Sequence, residues 1–193
     1  MIILGLTGSI GMGKSTTADF FRAEGIPVND ADANVHALYG GSASAEIEAA
    51  FPGTTENGIV IRQRLASALA GTPDGFKRLE AIVHPKVRSM EEAFLAEHRA
   101  KGTPLVVLDI TLIFETSAQN RVDHVVVVTC PPEMQRQRVL ARPGMTEEKF
   151  AMILARQVPD VDKRAMADFV IDTGSGLEHA RHQVRQIIAR LIG

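Results

Sequence analysis

Cysteine is almost absent from this chain of 193 residues, in which Cys130 stands alone. No intrachain disulfide can form and no cysteine cluster can bind a metal, which is typical of a protein from a reducing compartment. The run from Met1 to Leu6 lacks the basic start of a signal peptide, and no apolar stretch is long enough to cross a bilayer. We therefore expect a cytoplasmic protein that has no membrane partner.

An excess of charge of either sign is also missing, because 21 basic and 23 acidic side chains leave a formal net charge of −2. This balance removes the overall electrostatic argument for a dedicated nucleic-acid binder, so we expect no nucleic-acid partner. A content of 45% hydrophobic and 23% charged residues excludes the collagen-like, disordered and disulfide-scaffold classes. The length allows one domain with an elaboration, or two small domains.

Short apolar runs alternate along the chain with longer helical patterns, which predicts an α/β fold with a mainly parallel sheet and helices on both faces. The strand candidates are residues 2–6, 26–28, 105–108, 125–128 and 169–171. The runs at 105–108 and 125–128 are continuous rather than alternating, as expected for strands that are covered on both faces. The run at 26–28 is weaker, because it contains a proline.

The clearest helix signals lie in the last third of the chain. A helix is predicted to begin after Thr146, and another from Leu177, where Ser175 and Glu178 have the spacing of a capping box. A further helix is expected at residues 16–24.

Residues 40–102 contain no convincing strand and are predicted to be mostly helical, with breaks at 52–53, 57–58 and 71–73. The segment is too long for an ordinary crossover connection, so we predict an inserted helical subdomain. The core would then be formed by residues 1–39 and 103–193.

The strongest chemical signal is the sequence GSIGMGKS at residues 8–15, which matches the P-loop pattern G-x4-G-K-[ST]. A buried-type strand precedes it and a helical stretch follows, so its glycines can curl the backbone and direct amide hydrogens at phosphate oxygens. Lys14 is predicted to reach the β- and γ-phosphates, and the Ser15 hydroxyl to bind Mg²⁺. The alternative is a glycine-rich turn with a chance lysine. The predicted nucleotide-binding residues are Gly8, Gly11, Met12, Gly13, Lys14, Ser15 and Thr16.

Among P-loop proteins, a small-molecule kinase that uses ATP is the favoured class. The chain lacks the guanine-reading pattern N-K-x-D of GTPases, and it is short for a motor protein. Asp32 follows the second strand candidate, at the edge of the sheet where ligands of open α/β folds bind. A carboxylate there can orient an acceptor hydroxyl and accept its proton. The alternative for Asp32 is to cap a helix that begins at Ala33, and the two roles are compatible.

Asp109 follows the strand candidate 105–108, where P-loop enzymes place a carboxylate near the metal and the substrates. The alternative is an ordinary turn aspartate. Glu115 lies just beyond and either supports the same site or is simply exposed.

Several cations are candidates for phosphate binding. Arg138 and Arg142 are spaced four residues apart after Pro131 and Pro132, so on a helix they would share a face and could close over transferring phosphate. Arg136, Arg156, Lys163 and Arg164 lie nearby, and a solvated helix face is the plainer interpretation for any one of them.

His84 and Arg88, together with Lys86, form a basic cluster within the helical insertion. We predict that His84 and Arg88 receive an anionic substrate. The alternative for His84 is a residue at a helix terminus. The other histidines show no arrangement of metal ligands and are interpreted as incidental.

Taken together these residues resemble the dephospho-CoA kinase family over nearly the whole chain. The order of the P-loop, the D-A-D triplet, the H-P pair and the D-x-x-L-x-F-E block is far more specific than the P-loop alone. Thr111 and Thr173 depart from the family's usual proline and asparagine, and Ser9 from a common glycine. The matching segments are residues 6–16, 30–32, 57–58 with Arg62 and Leu65, 84–88, 109–115, Gln135 with Arg138 and Arg142, Gln157, and 167–172.

The resemblance implies an adenylate-kinase-like core, a CoA-binding subdomain at 40–102 and a lid at about 142–164. It implies transfer of the ATP γ-phosphate to the ribose 3′-hydroxyl of dephospho-CoA, the last step of coenzyme A synthesis. Asp32 would be the base, Lys14 and Ser15 would serve phosphate and Mg²⁺, and Arg138 and Arg142 would belong to the lid region.

Other functions stay open at this point. A kinase of another small hydroxyl substrate, such as a nucleoside monophosphate, would share the P-loop and the lid. A slow nucleotide-dependent switch would keep the P-loop but have no use for Asp32. We expect small-molecule substrates and a monomer or weak oligomer.

Overall fold

The computed structural model describes residues 1–193. The chain forms two compact units, one of residues 1–29 and 98–193 and the other of residues 30–97. The second unit thus begins before the sequence-based boundary at 40 and ends before the one at 102, because the helix that follows Asp30 packs its Leu38 into that unit's core. The functional assignment of residues 40–102 stays a prediction.

The first unit is built on a parallel sheet. Its strands are β1 (Ile2–Thr7), β2 (Val28–Asp30), β5 (Leu105–Asp109), β6 (His124–Thr129) and β7 (Phe169–Asp172). Their order in the five-stranded sheet is β2-β5-β1-β6-β7. The α/β fold predicted from alternating patterns is confirmed. Residues 26–28 gave only an approximate position for β2, since Pro27 lacks an N–H and the strand begins after it.

Burial explains the continuous apolar runs. Every residue of β5 is buried, and so are the middle residues of β6, because helices cover both faces of the sheet. On one side, α1 (Lys14–Ala23) packs against α9 (Leu177–Ile192). Cys130 lies in the same core, and its burial raises the pKa of the thiol.

The helix predicted from Leu177 is confirmed as α9. Ala180, Val184 and Ile187 of α9 are buried in the core, whereas Leu177 is exposed. The predicted capping box is wrong. Gly176 occupies the N-cap without a side-chain bond, and the Ser175 hydroxyl instead donates to Asp172 Oδ2 at 2.5 Å.

The remaining helices of the first unit are α6 (Pro132–Leu140), α7 (Glu147–Leu154) and α8 (Asp160–Ala165). α7 begins after Thr146 as predicted, and the Thr146 hydroxyl caps it by accepting from the Lys149 N–H at 3.3 Å. The helical pairing of Arg138 with Arg142 is wrong. α6 ends at Leu140, because Arg142 precedes Pro143 and a residue before proline disfavours the helical conformation.

The second unit contains α2 (Ala31–Tyr39), α3 (Ser44–Ala50), β3 (Thr55–Glu56), β4 (Ile59–Val60), α4 (Arg62–Ala70) and the first part of α5 (Gly75–Ala100). The expectation of no strand here is wrong, because β3 and β4 form an antiparallel hairpin. Asn57 and Gly58 connect them with φ of 52° and 77°, so this pair makes a two-residue hairpin turn rather than a helix break. α5 is 26 residues long and continues past Pro85. No helix of the chain has both the length and the apolar character that a membrane span requires.

Candidate active site

The P-loop joins β1 to α1. Gly11 and Gly13 adopt φ of 80° and 94°, which side chains rarely tolerate, and a Cβ on Gly11 would approach Val139 Cγ2 to 2.5 Å. Gly13 occupies the N-cap of α1 without a side-chain bond, and the first turn of that helix carries no acidic residue. Its first-turn amide hydrogens and the positive end of its dipole suit an anion such as phosphate.

Lys14 and Asp109 meet at the carboxyl ends of neighbouring strands. Lys14 Nζ lies 2.5 Å from Asp109 Oδ1, and the side chains are 13% and 1% exposed. Asp109 is the buried last residue of β5, so the alternative of a turn aspartate is wrong. This carboxylate holds the ammonium group beside the P-loop.

Arg138 and Thr173 form a second contact with the P-loop that sequence reasoning missed. The Arg138 guanidinium donates to Thr173 Oγ1 at 3.1 Å and to the Thr173 carbonyl at 2.9 Å. The Thr173 hydroxyl donates in turn to the Met12 carbonyl at 2.7 Å. In the sequence, the one signal at position 173 was a threonine where the family usually has asparagine. Arg142 is exposed beyond the end of α6 and takes no part in this network.

Glu115 and Lys163 form a buried ion pair near the same end of the sheet. Lys163 Nζ lies 2.8 Å from Glu115 Oε1, and the lysine side chain is fully buried. The Val158 N–H also donates to Glu115 Oε1 at 2.8 Å. Burial opposes ionisation of Glu115, but the hydrogen bonds from Lys163 and from backbone N–H groups outweigh it and lower its pKa. Lys163 is therefore an internal anchor rather than a solvated cation.

In the second unit, an open cavity of about 520 Å³ contains Asp32 and Arg62 among mainly apolar side chains. Asp30, not Asp32, caps the adjoining helix, since its Oδ1 accepts the Ala33 N–H at 2.9 Å and α2 begins at Ala31. The cap interpretation of Asp32 is wrong, and its carboxylate lies in the first turn as part of the cavity wall. The lining residues are Asp32, Val35, Tyr39, Arg62, Leu65, Ala66 and Leu69.

Arg62 is held in place by two neighbours on α2. Its guanidinium donates to His36 Nδ1 at 2.8 Å and lies 6.0 Å from the centre of the Tyr39 ring. Burial raises the pKa of Tyr39 in spite of the opposing charge of Arg62, so the phenol stays neutral. Sequence reasoning assigned no role to Arg62 beyond its place in a family motif, and it interpreted His36 as incidental.

The predicted acceptor residues His84 and Arg88 lie on α5, and neither lines this cavity. Arg88 pairs with Glu91 and Glu92 at 3.9 and 3.6 Å. Neighbouring Lys86 pairs with Glu46 at 2.8 Å. The structure therefore groups Arg62, rather than the predicted pair, with Asp32.

The residues around the P-loop suit a Mg²⁺ ion that is bound through few protein ligands. No group of three or more His, Cys, Asp or Glu residues is arranged to hold a metal. Ser15 offers an exposed hydroxyl next to Lys14, in the first turn of α1. Mg²⁺ suits such a site, because it is usually bound through one or two protein oxygens together with phosphate and water.

The chain is similar to known proteins over its whole length. A family model described as dephospho-CoA kinase matches residues 2–179. A relative from Mesorhizobium japonicum named dephospho-CoA kinase is 61% identical over 193 residues, which are 100% of this chain and 98% of the relative. A crystal structure from Thermus thermophilus has a TM-score of 0.85 at 35% identity, with 100% and 98% of the two chains covered. The dephospho-CoA kinase from Campylobacter jejuni, at 22% identity and a TM-score of 0.69 over 98% and 96% of the chains, shares the fold.

Proposed function

Because the chain belongs to the dephospho-CoA kinase family, we propose that it transfers the γ-phosphate of ATP to the ribose 3′-hydroxyl of dephospho-CoA, giving coenzyme A and ADP. The structural observation that carries the proposal is the cavity in which Asp32 and Arg62 lie among apolar side chains. A nucleotide switch needs no such cavity, and the full-length match disfavours a kinase of another acceptor.

The first unit binds ATP in this proposal. The amides at residues 11–15 receive phosphate oxygens, and Lys14, oriented by Asp109, supplies positive charge at the β- and γ-phosphates. Arg138, which Thr173 holds beside the loop, stabilises charge on the transferring group, and we keep Arg142 as a second cation of the lid region. Ser15 would hold Mg²⁺, which would supply positive charge that neutralises part of the phosphate charge.

The second unit binds dephospho-CoA. Asp32 accepts the hydrogen bond of the ribose 3′-hydroxyl, orients its oxygen for attack and takes its proton as the new phosphate bond forms. Arg62 binds the diphosphate of the acceptor, because a guanidinium fork matches phosphate oxygens. The apolar side chains around Leu65 exclude water from the remainder of the acceptor. His84 and Arg88 remain proposed acceptor residues outside the cavity.

An acceptor panel tests the proposal. Purified protein with ATP and Mg²⁺ is offered dephospho-CoA, AMP or pantetheine, while ADP release and the mass of the acceptor are measured. We expect turnover with dephospho-CoA alone, accompanied by a mass gain of one phosphate. Turnover that is as fast with AMP would contradict the acceptor assignment.

Variants of two arginines test the acceptor site. Arg62→Met is expected to raise the KM for dephospho-CoA by about tenfold or more, the size of one lost charged hydrogen bond, while the KM for ATP stays unchanged. Arg88→Met is the matched variant on α5. The change in the KM for dephospho-CoA in each variant shows which arginine contributes more to acceptor binding. An unchanged acceptor KM in Arg62→Met would remove Arg62 from the site.

We also propose a cytoplasmic location and a monomer or weak oligomer.

A further inference from the structure

Two glutamines hold the peptide groups on either side of Ile10, at the centre of the P-loop. Gln135 Nε2 donates to the Ile10 carbonyl at 2.8 Å. The Ile10 N–H donates to Gln157 Oε1 at 3.1 Å. Both hydrogen-bonding groups of Ile10 are thus engaged by side chains of distant segments, since Gln157 lies 147 residues further along the chain.

This arrangement adds to the restraints on a glycine-rich loop, in which the Thr173 hydroxyl also holds the Met12 carbonyl. The residues that follow Ile10 include Gly11 and Gly13, whose lack of a side chain gives the backbone wide conformational freedom. Gln135 is buried on α6, so its amide is a fixed point on one side of the loop. Gln157 supplies the opposite point, and together they keep the following amides directed towards phosphate.

The segment that carries Gln157 is itself fixed. The next residue, Val158, donates its N–H to Glu115 Oε1 at 2.8 Å, and Glu115 is paired with the fully buried Lys163. The side chain of Gln157 therefore starts from an anchored backbone, so its hydrogen bond to Ile10 has a defined direction. This anchor also connects the predicted lid segment, about 142–164, to the P-loop.

We propose that Gln157 is a positioning residue for nucleotide phosphate. It orders the P-loop before the nucleotide binds. The binding free energy is then not reduced by the conformational entropy lost in ordering the loop. The inference rests on the proposed role of residues 8–15 in ATP binding. It concerns neither contact with the nucleotide nor proton transfer, because Gln157 acts through the Ile10 peptide.

The test is Gln157→Met, which keeps the length of the side chain but removes the acceptor for the Ile10 N–H. ADP affinity by calorimetry is expected to fall about 3- to 10-fold, the size of one lost neutral hydrogen bond. The KM for ATP should rise with it, while the KM for dephospho-CoA stays within about twofold of the parent value. Exchange of the Ile10 amide in the protein without nucleotide should become faster.

Gln137→Met is the matched control, because Gln137 is exposed on α6, two residues from Gln135. This variant should bind ADP as the parent does. Gln157→Ala repeats the measurement should the methionine variant fail to fold. Parental ADP affinity in a folded Gln157 variant, or an equal rise in both KM values, would overturn the inference. A parent that binds ADP but does not phosphorylate dephospho-CoA overturns the proposed function instead, because the ADP titration of Gln157→Met is independent of the acceptor.

Discussion

At the scale of single residues, Asp30 and Asp32 are close in the sequence and have the same side chain, but they occupy different positions in the structure. Asp30 accepts the Ala33 N–H and thereby begins α2. Asp32, in the first turn of the same helix, forms part of the wall of the cavity. The helix therefore gains its cap from Asp30 and not from Asp32.

The substitution Asp32→Asn tests the proposed role of Asp32 as the base. We expect kcat to fall about 10²- to 10⁴-fold, because an amide is a far weaker proton acceptor. We expect the lower end of this range, since phosphoryl transfer depends strongly on positioning. Unfolding in denaturant and ADP binding should stay at parental values.

Asp30→Asn serves as the control, because asparagine also caps helices. This variant should retain both kcat and stability. A folded Asp32→Asn protein with parental kcat would remove the base from the proposed mechanism.

At the scale of elements, α8 is fixed to the loop after β5 by an ion pair rather than by an apolar face. Lys163 is completely buried and Glu115 nearly so, with side-chain exposures of 0% and 12%. Charges in such a setting are tolerable only as a pair, because an isolated buried charge loses its hydration without compensation. The pair also supports Val158, and through Gln157 it supports the P-loop.

Lys163→Met is expected to lower the free energy of unfolding by about 3–5 kcal/mol, since it leaves the Glu115 carboxylate buried without its partner. Denaturant titration at neutral pH measures this loss. Arg136→Met, which breaks the exposed pair with Glu147, should cost less than about 1 kcal/mol. Equal effects of the two substitutions would contradict the anchoring role of α8.

The same pair predicts a pH dependence of stability. The folded pKa of Glu115 is lowered, so its contribution is present above the unfolded pKa of about 4.3 and is lost as the pH falls through the folded value. The double variant Glu115→Gln with Lys163→Met lacks this contribution. As the pH falls below about 4.3, its free energy of unfolding should decrease less than that of the parent. Parallel pH profiles would exclude Glu115 as a source of the dependence.

At the scale of the whole molecule, each unit has its own hydrophobic core. The core of the first unit includes Leu4, Phe21 and Val126, and that of the second includes Ile47, Phe51 and Leu65. The proposed donor residues belong to the first unit and the proposed acceptor cavity belongs to the second.

Each ligand should therefore stabilise mainly its own unit. ADP at about one hundred times its Kd adds about 2.7 kcal/mol to the state that binds it. We expect hydrogen exchange to slow in β1 and β5 with ADP, and in α3 and α4 with dephospho-CoA. Equal slowing of both units by ADP would contradict the division of binding sites.

Local patterns in the sequence were sufficient for the parts of this protein that depend on near neighbours. The P-loop, the start of α7 and the buried strands could be predicted, because phosphate cradles, caps and covered strands each require particular residues at short spacing. The Asn57–Gly58 hairpin and the early end of α6 at Pro143 were also encoded locally, but their turn and proline signals were misread. Asp32 was selected as a candidate on its position after a strand, and its role stays a proposal.

Contacts between distant residues were decided only by the tertiary structure. Lys14 meets Asp109, 95 residues away, because β1 and β5 are adjacent in the sheet and their carboxyl ends coincide. Arg62 reaches His36 from another helix, and Gln157 reaches Ile10 across most of the chain. No periodicity specifies such pairs, since the partner of a polar side chain depends on which elements pack side by side and on the need to satisfy each buried donor and charge.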